Sequence, residues 1–254
     1  MARTHGTKEL WLEALRADGP AFLAALKEAE PATPVPSCPG WTATDLAHHL
    51  GSVYRWVNMH IVRGMTDKPD RSYSDVAAEP AAPNPADWCQ AQLSALIGTL
   101  EVLDPEMPAW NWAPRAKNVA FWQRRMAWET AVHRWDAQMA IGRAEPVDLR
   151  FAVDGVSEVL DTWLPAGRRI GRTDAQGVVA LQATDADQAW HLRLRGEGFA
   201  LLDTDTIFDD DDVPARALAA GSASDVMLAL WGRVAFDALD VSGDDTLLDA
   251  LRVG

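Results

Sequence analysis

One uninterrupted helical segment constrains the fold of this chain more than any other feature. Residues 121–137 contain neither glycine nor proline, and they are rich in Ala, Met, Arg, Gln and Glu, which favour the α-helix. Glu129 and His133 are four residues apart, so they lie one above the other on one face, and Asp136 continues that face. Apolar residues such as Trp122 extend it toward the N-terminus. The segment therefore predicts a central helix with two carboxylates and an imidazole on a partly apolar face.

A carboxylate and an imidazole on such a face need partners, because burying an unpartnered polar group costs free energy. A divalent metal would supply one, since Glu oxygen and His nitrogen both bind Zn²⁺ and similar ions. A third ligand would then come from another helix. The spacing alone leaves open the alternative that Glu129 and His133 lie exposed on a solvated face.

The bulk composition argues against several partners. The chain has 254 residues and a formal net charge of −14, which disfavours nucleic acid and anionic membrane surfaces as partners. No apolar run approaches the roughly 18 residues of a membrane span, and the N-terminal residues lack the apolar core of a signal peptide. We therefore expect a cytoplasmic protein with neither a nucleic-acid nor a membrane partner. Cys38 and Cys89 are expected to be reduced, small, buried or half-buried residues.

Four helices are predicted in the first part of the chain. Their expected ranges are 7–28, with a kink or break at Gly19-Pro20, then 42–63, 87–103 and 118–141. The second begins with a helix-start signal, Thr42 to Asp45. The loop at 66–86 is of the kind that often covers a site.

His49 lies on or beside the apolar stripe of the second helix. Helix bundles build metal sites from side chains of facing helices, so His49, Glu129 and His133 form a candidate set of two histidines and one carboxylate. Three protein ligands leave one coordination position open, which is typical of a catalytic site. The alternative for His49 is a histidine at the edge of the core, hydrogen-bonded to a neighbour.

The remainder of the chain changes character after a linker at 142–150. It is predicted to be an α+β unit, with helices at 152–164, 224–238 and 244–252 and strands at 178–184, 189–195 and 199–203. The acidic run 209–212 lacks the spacing of a calcium loop and is interpreted as a solvated loop. The expected domains are 1–145 and 146–254.

Several segments resemble the mycothiol-dependent maleylpyruvate isomerase family. Residues 37–42 (SCPGWT) with 45–50 (DLAHHL), and residues 124–137 (RRMAWETAVHRWDA), are similar to its two N-terminal motifs. Residues 152–160, 230–233 and 239–244 resemble parts of its C-terminal domain. The resemblance implies a DinB-like four-helix bundle at 1–145 and a small α+β domain, similar to sterol-carrier domains, at 146–254.

The resemblance also implies a ligand set. The family's metal ligands fall on His49, Glu129 and His133, the same three residues that form the candidate set above. One position departs from the pattern, because many members carry His where this chain has Trp128. Trp128 points about 100° away from the ligand stripe, so the departure concerns the pocket wall and the substrate rather than the metal.

The implied activity is that of a thiol-dependent isomerase or S-transferase. The expected cofactors are a divalent metal, with Zn²⁺ the expected ion, and mycothiol. A metal deprotonates a coordinating thiol, and the thiolate would then attack a small-molecule electrophile. The low-molecular-weight thiol and the electrophile are the expected partners, and the protein is expected to be a monomer or homodimer.

Charged residues near the ligand face are the remaining site candidates. Arg125 is favoured for holding an acidic substrate, with Arg124 and Arg134 as candidates for binding the cofactor, because guanidinium suits carboxylates. Asp136 is expected to orient a ligand or an arginine. The alternative for the arginines is ion pairing at a surface or between domains, and for Asp136 a plain surface position.

A second hypothesis is a regulatory protein that binds a metal or small ligand without turnover, and consumption of thiol by electrophiles would discriminate the two. A metallopeptidase is disfavoured because the chain lacks His-Glu-x-x-His. A serine or cysteine hydrolase is disfavoured because there is no Gly-x-Ser-x-Gly and neither cysteine has a base identifiable from sequence.

Overall fold

The computed structural model describes residues 6–79, 82–172, 174–202 and 215–253. These residues form two compact units, one from Gly6 to Glu145 and the other from Pro146 onward. Within the described part of the chain, no helix has both the length and the apolar character required to cross a membrane.

The first unit is helical, as predicted. Its long helices are α1 (Lys8–Glu28), α2 (Ala43–Ile61), α4 (Pro85–Val102) and α5 (Val119–Ala140), and a short helix, α3 (Tyr73–Ala77), lies in the predicted loop between α2 and α4. α5 packs against α1 and α2, and α4 packs against α1 and α2. The predicted four-helix bundle is therefore confirmed, with α3 as an addition that the sequence pattern did not indicate.

Local capping determines where these helices begin. The side chains of Thr7, Thr42, Asn84 and Asn118 each accept a backbone N–H from the first turn that follows. At Thr42 the reciprocal bond from Asp45 completes a capping box, as the sequence predicted.

A kink or a break was predicted at Gly19-Pro20, and the break does not occur, since α1 continues through Pro20. A proline inside a helix removes one backbone hydrogen bond, so tertiary packing has to compensate for it. Gly19 allows a close approach of α4 at this point, because a Cβ there would lie 2.6 Å from Leu93 Cδ2. The packing of α1 on its neighbours thus outweighs the local signal.

α5 is buried on nearly all sides. Its buried residues include polar and charged ones: Gln123, Arg124, Arg125, Thr130, His133, Arg134, Asp136 and Gln138. Buried charges are retained only where they are paired or coordinate a ligand, so this helix is where a functional site is expected.

The second unit contains a five-stranded mixed sheet. Its strands are β1 (Gln176–Ala183), β2 (Gln188–Arg195), β3 (Gly198–Leu202), β4 (Arg216–Gly221) and β5 (Asp240–Gly243), in the order β3-β2-β1-β4-β5. β1 and β4 are parallel and the other pairs are antiparallel. The three predicted strands and the α+β class are confirmed. β4 and β5 were missed, because β4 is rich in alanine and β5 is short and polar, which gives little strand signal.

The helices of this unit differ from the prediction mainly at their ends. α6 (Leu149–Glu158) starts within the predicted linker and continues as a π-helical turn, Val159–Trp163. α7 (Ala223–Leu230) ends well before residue 238, because Gly232 adopts a φ of +68°, a conformation that commonly ends a helix. The predicted last helix is a 3₁₀ helix, Asp245–Leu251. The acidic run 209–212 lies outside the described residues.

Candidate metal centre

A hydrogen bond between α2 and α5 aligns the two helices that carry the candidate ligands. The Tyr54 and Thr130 hydroxyls are 2.7 Å apart, and Thr130 donates to the Met126 carbonyl, so the Tyr54 O–H donates to Thr130 Oγ1. Both residues are fully buried. His49 lies on α2 little more than one turn before Tyr54, and the two ligand candidates of α5 flank Thr130, so this bond fixes their register.

The three predicted ligands lie together. Glu129 Oε1 is 3.2 Å from His49 Nε2 and 3.5 Å from His133 Nε2. One donor atom from each of the three residues lies within 4.8 Å of the others. Their side chains are 20%, 15% and 9% exposed for His49, Glu129 and His133 respectively, which excludes the alternative of a fully solvated pair.

Asp136 holds the other nitrogen of His133. The Nδ1–H of His133 donates to Asp136 Oδ2 at 2.8 Å, and Asp136 is fully buried. The Cys38 S–H donates to the same oxygen at 3.4 Å. Cys38, His133 and Asp136 thus form a second group of potential ligands. The 2.8 Å separation is that of a hydrogen bond, so Asp136 contacts a candidate ligand as expected, while its orienting role stays a prediction.

Arg125 contacts the cluster through Glu129. Its guanidinium donates to Glu129 Oε2 at 2.8 Å, and its side chain is only 3% exposed. This contact leaves Oε1 of Glu129 directed toward the two histidines. Arg125 is therefore brought to the site as expected, while its role toward an acidic substrate stays a prediction.

The other two arginines have different surroundings. Arg134 donates to Asp18, Gln138 and the Glu145 carbonyl, contacts that tie α5 to α1 and to the end of this unit rather than to the ligand cluster. Arg124 is buried. Their predicted roles in cofactor binding stay predictions, and the partners of Arg134 favour ion pairing.

The electrostatics of the cluster separate the two histidines. Burial lowers the pKa of His49, opposed by its hydrogen bond to Glu129. Burial also acts to lower the pKa of His133, but its hydrogen bonds with Asp136, Cys38 and Glu129 outweigh burial and raise the pKa well above the usual value. For Glu129, burial acts to raise the pKa, yet the bonds to both histidines and the Arg125 charge hold it well below its usual value. Without a metal, the cluster therefore holds its proton on His133.

Three residues beside the ligands were not assigned from the sequence. The Trp41 ring centroid is 4.8 Å from that of His49 and 6.4 Å from that of His133. The Tyr73 hydroxyl is 2.7 Å from His49 Nδ1, and burial raises the pKa of Tyr73 to about 12. Cys38, interpreted only as a small residue without a base, lies beside Asp136. Cys38 and Trp41 belong to the first N-terminal motif, whereas no sequence signal distinguished Tyr73.

Trp128, the position at which the resemblance implied a histidine in many family members, is fully buried. Its exposure is 0%, so the Trp128 side chain lies in the interior of the protein rather than at its surface.

Comparisons with known proteins identify the family and the fold of the chain. A family model described as the mycothiol maleylpyruvate isomerase N-terminal domain matches residues 12–138, and a model of the C-terminal domain of the same family matches residues 150–250. A crystal structure of the mycothiol-dependent maleylpyruvate isomerase is similar, with 11% identity, 93% of each chain covered and a TM-score of 0.64. A structure of a histidine-to-alanine mutant of that isomerase gives the same identity and coverage with a TM-score of 0.63. No curated protein sequence matches.

Proposed function

The chain belongs to the mycothiol-dependent maleylpyruvate isomerase family, a family of enzymes, and from this premise we propose a specific activity for it. The protein is a thiol-dependent isomerase or S-transferase that holds a divalent cation, Zn²⁺ in our proposal, on His49, Glu129 and His133. Mycothiol is its thiol cosubstrate, and the second substrate is a small electrophile.

The spacing of the three donor atoms carries this proposal. Ligands about 2.0–2.1 Å from a tetrahedral ion are about 3.3 Å from one another. The two distances from Glu129 Oε1 to the histidine nitrogens, 3.2 and 3.5 Å, bracket that value. Nitrogen and carboxylate oxygen are also the donors that Zn²⁺ accepts at catalytic sites. Both Glu129 contacts therefore have the length that such an ion requires, and all three donor atoms lie within 4.8 Å of one another.

The charge of the cluster supports the same conclusion. With His133 protonated, the charges of Arg125, Glu129, His133 and Asp136 cancel. A divalent ion that displaces the His133 proton leaves one net positive charge among these groups. One anionic ligand, such as a thiolate, restores neutrality, so the cluster is suited to a thiol that loses its proton on binding.

The surrounding side chains hold the ligands in place. Arg125 fixes one oxygen of Glu129, and Asp136 fixes the His133 ring by accepting its Nδ1–H. The Trp41 ring packs beside both imidazoles, with centroids 4.8 and 6.4 Å away. A divalent cation bound there would supply the positive charge that keeps a thiol ionised at neutral pH.

The chemistry proposed for the thiolate follows from its nucleophilicity. In isomerisation, sulfur adds to one carbon of a conjugated cis double bond, rotation occurs about the resulting single bond, and sulfur leaves to give the trans product. In transfer, sulfur either displaces a leaving group, which departs with the bonding electron pair, or adds to the double bond while the adjacent carbon takes up a proton. The adduct is then released. Isomerisation returns the thiol, whereas transfer consumes it.

Metal analysis of protein purified without added ions tests the ligand set. We expect about one equivalent of metal in the wild type, and a loss of affinity exceeding about tenfold in His49→Ala and in His133→Ala. His191→Ala, on β2 of the other unit, is the matched control and should retain the metal. Full occupancy in both ligand variants would contradict the proposal.

An activity assay then separates the reaction classes. Mycothiol is incubated with maleylpyruvate and with a panel of electrophiles, and both thiol and product are followed. Turnover without thiol loss indicates isomerisation, and stoichiometric thiol loss indicates transfer. Metal binding without either would support a regulatory protein instead.

A further inference from the structure

Tyr73 is the direct neighbour of a proposed ligand on the side facing away from Glu129. Its hydroxyl oxygen is 2.7 Å from Nδ1 of His49, while Nε2 of the same ring faces Glu129. The two rings meet nearly at right angles, with centroids 5.8 Å apart. His49 therefore has one partner at each nitrogen, and the partner at Nδ1 is a neutral phenol.

The segment that carries Tyr73 is anchored to α2 on both sides of it. The Trp56 indole N–H donates to the Arg71 carbonyl at 3.0 Å, and the His48 Nε2–H donates to the Ala77 carbonyl at 3.1 Å. These bonds come from α2, the same helix that carries His49. The Tyr73 hydroxyl is thus positioned relative to His49 by bonds to α2, the helix that carries His49 itself.

Local interactions also hold this segment in one conformation. α3 begins with a capping box in which Ser72 and Asp75 exchange hydrogen bonds. The Arg71 guanidinium binds both the Asp75 carbonyl and the Glu79 carboxylate. A short helix of five residues is rarely stable alone, so these contacts account for its presence.

The hydrogen bond between Tyr73 and His49 Nδ1 depends on which imidazole nitrogen carries the hydrogen. A ring nitrogen that binds a cation carries no hydrogen, so the other nitrogen of a neutral imidazole must carry it and needs an acceptor. Without a cation, Nε2–H of His49 donates to Glu129, and Nδ1 accepts from the Tyr73 hydroxyl. With a cation at Nε2, the hydrogen moves to Nδ1, and the Tyr73 oxygen must accept. A phenol hydroxyl can do both, whereas a carboxylate can only accept.

We propose that Tyr73 is the positioning residue for His49, holding the ring in both tautomers so that Nε2 becomes available to a cation. The inference rests on the proposed function, because it assumes that His49 is a ligand. The two histidines differ in this respect. The Nδ1 partner of His133 is the Asp136 carboxylate, which only accepts and therefore keeps the hydrogen on Nδ1.

Tyr73→Phe tests this proposal with Tyr54→Phe as its matched control. Each variant removes one phenol hydroxyl bound at 2.7 Å, and these are the two tyrosines of the chain. Zn²⁺ affinity is measured by competition with a chromophoric chelator. We expect Tyr73→Phe to bind Zn²⁺ on the order of 10- to 100-fold more weakly, the effect typical of losing a hydrogen bond to a metal-bound histidine. Tyr54→Phe removes a hydroxyl that joins α2 to α5 without contacting a proposed ligand, so it should lower stability but weaken Zn²⁺ binding less than Tyr73→Phe does.

Histidine ¹⁵N NMR supplies a readout that a general loss of packing would not change. In the wild type, addition of Zn²⁺ should move the His49 hydrogen from Nε2 to Nδ1 and give a slowly exchanging Nδ1–H signal. In Zn²⁺-loaded Tyr73→Phe that signal should exchange rapidly with water. Equal affinities and equal exchange in the wild type and Tyr73→Phe would overturn the inference alone. A wild type that binds no metal would overturn the proposed function and the inference together.

Discussion

His133 uses both of its ring nitrogens, and this accounts for the character of the whole cluster. Nε2 faces Glu129 one turn earlier on α5, and Nδ1 is bound to Asp136 one turn later. The three residues are therefore aligned by the helix itself, through spacings of four and three residues. Cys38 joins from outside the helix through the same Asp136 oxygen.

The two cysteines should differ in reactivity toward an alkylating reagent. Cys89 is fully buried, and burial raises its pKa to about 12, so it holds little reactive thiolate at neutral pH. Cys38 is half-buried and hydrogen-bonded to a carboxylate. Under native conditions we expect iodoacetamide to give one adduct, which peptide mass spectrometry assigns to Cys38.

The matched variants for this experiment are Cys38→Ser and Cys89→Ser. The first should give no adduct and the second one adduct, as in the wild type. Equal labelling of both cysteines in the folded wild type would contradict the difference in burial.

At the scale of elements, α2 carries a second buried histidine far from the ligands. The His60 ring lies among Trp56, Trp110 and Trp122, with centroid distances between 4.5 and 6.1 Å, and its Nδ1–H donates to the Trp56 carbonyl. Burial lowers the pKa of His60 from 6.5 to about 4. This histidine therefore belongs to the core, and it makes the helix sensitive to acid.

The sign of this sensitivity follows from proton binding. Between pH 6.5 and about 4 the unfolded chain protonates His60 and the folded chain does not, so stability is lost as the pH falls through this window. From about pH 7.5 to about pH 5 the His60 contribution falls by about 2 kcal/mol. Urea unfolding at both pH values measures this loss. Between them, the free energy of unfolding of His60→Phe should fall by about 2 kcal/mol less than that of the wild type. Identical losses would show that His60 does not titrate in this range.

The close packing of α2 against α4 predicts how replacing glycine by alanine in each helix changes stability. A Cβ added at Gly51 would lie 2.3 Å from the Trp88 ring, whereas a Cβ at Gly98 of α4 would meet nothing within 4 Å. Gly51→Ala should therefore destabilise the protein by about 1–3 kcal/mol through overpacking. Gly98→Ala should stabilise it by about 0.5–1 kcal/mol, because alanine has the higher helix propensity.

Urea unfolding of the two glycine variants checks this pair. Because both replace glycine by alanine within a helix, intrinsic propensity is matched and the sign of the difference reports packing. A gain in stability for Gly51→Ala would mean that α2 and α4 are further apart than the structure indicates.

For the whole molecule, metal binding should increase the free energy of unfolding. A ligand that binds only the folded state adds about 2.7 kcal/mol when its free concentration is 100 times its Kd. We therefore expect Zn²⁺ at that concentration to raise the free energy of unfolding of the wild type by about this amount, and a chelator to reverse it. His133→Ala should show neither effect. A chelator that leaves the calorimetric transition of Zn²⁺-treated wild type unchanged would contradict the proposed site.

The amino-acid sequence by itself determined the features that depend on local periodicity. The helical repeat places Glu129, His133 and Asp136 on one face, and the alternation of β2 marks it as a strand, because side-chain direction follows directly from backbone geometry within one element. The capping box at Thr42 is local in the same way.

Only the tertiary structure decided what meets across elements. It continued α1 through Pro20, paired the alanine-rich β4 with β1, and brought Cys38 and Tyr73 beside residues far from them in sequence. Such contacts depend on how helices and strands pack, and packing energy is shared among many residues, so no short sequence pattern encodes it. The shared face of Glu129, His133 and Asp136 was therefore predictable from spacing, whereas the contacts that Cys38 and Tyr73 make with this cluster of candidate ligands were not.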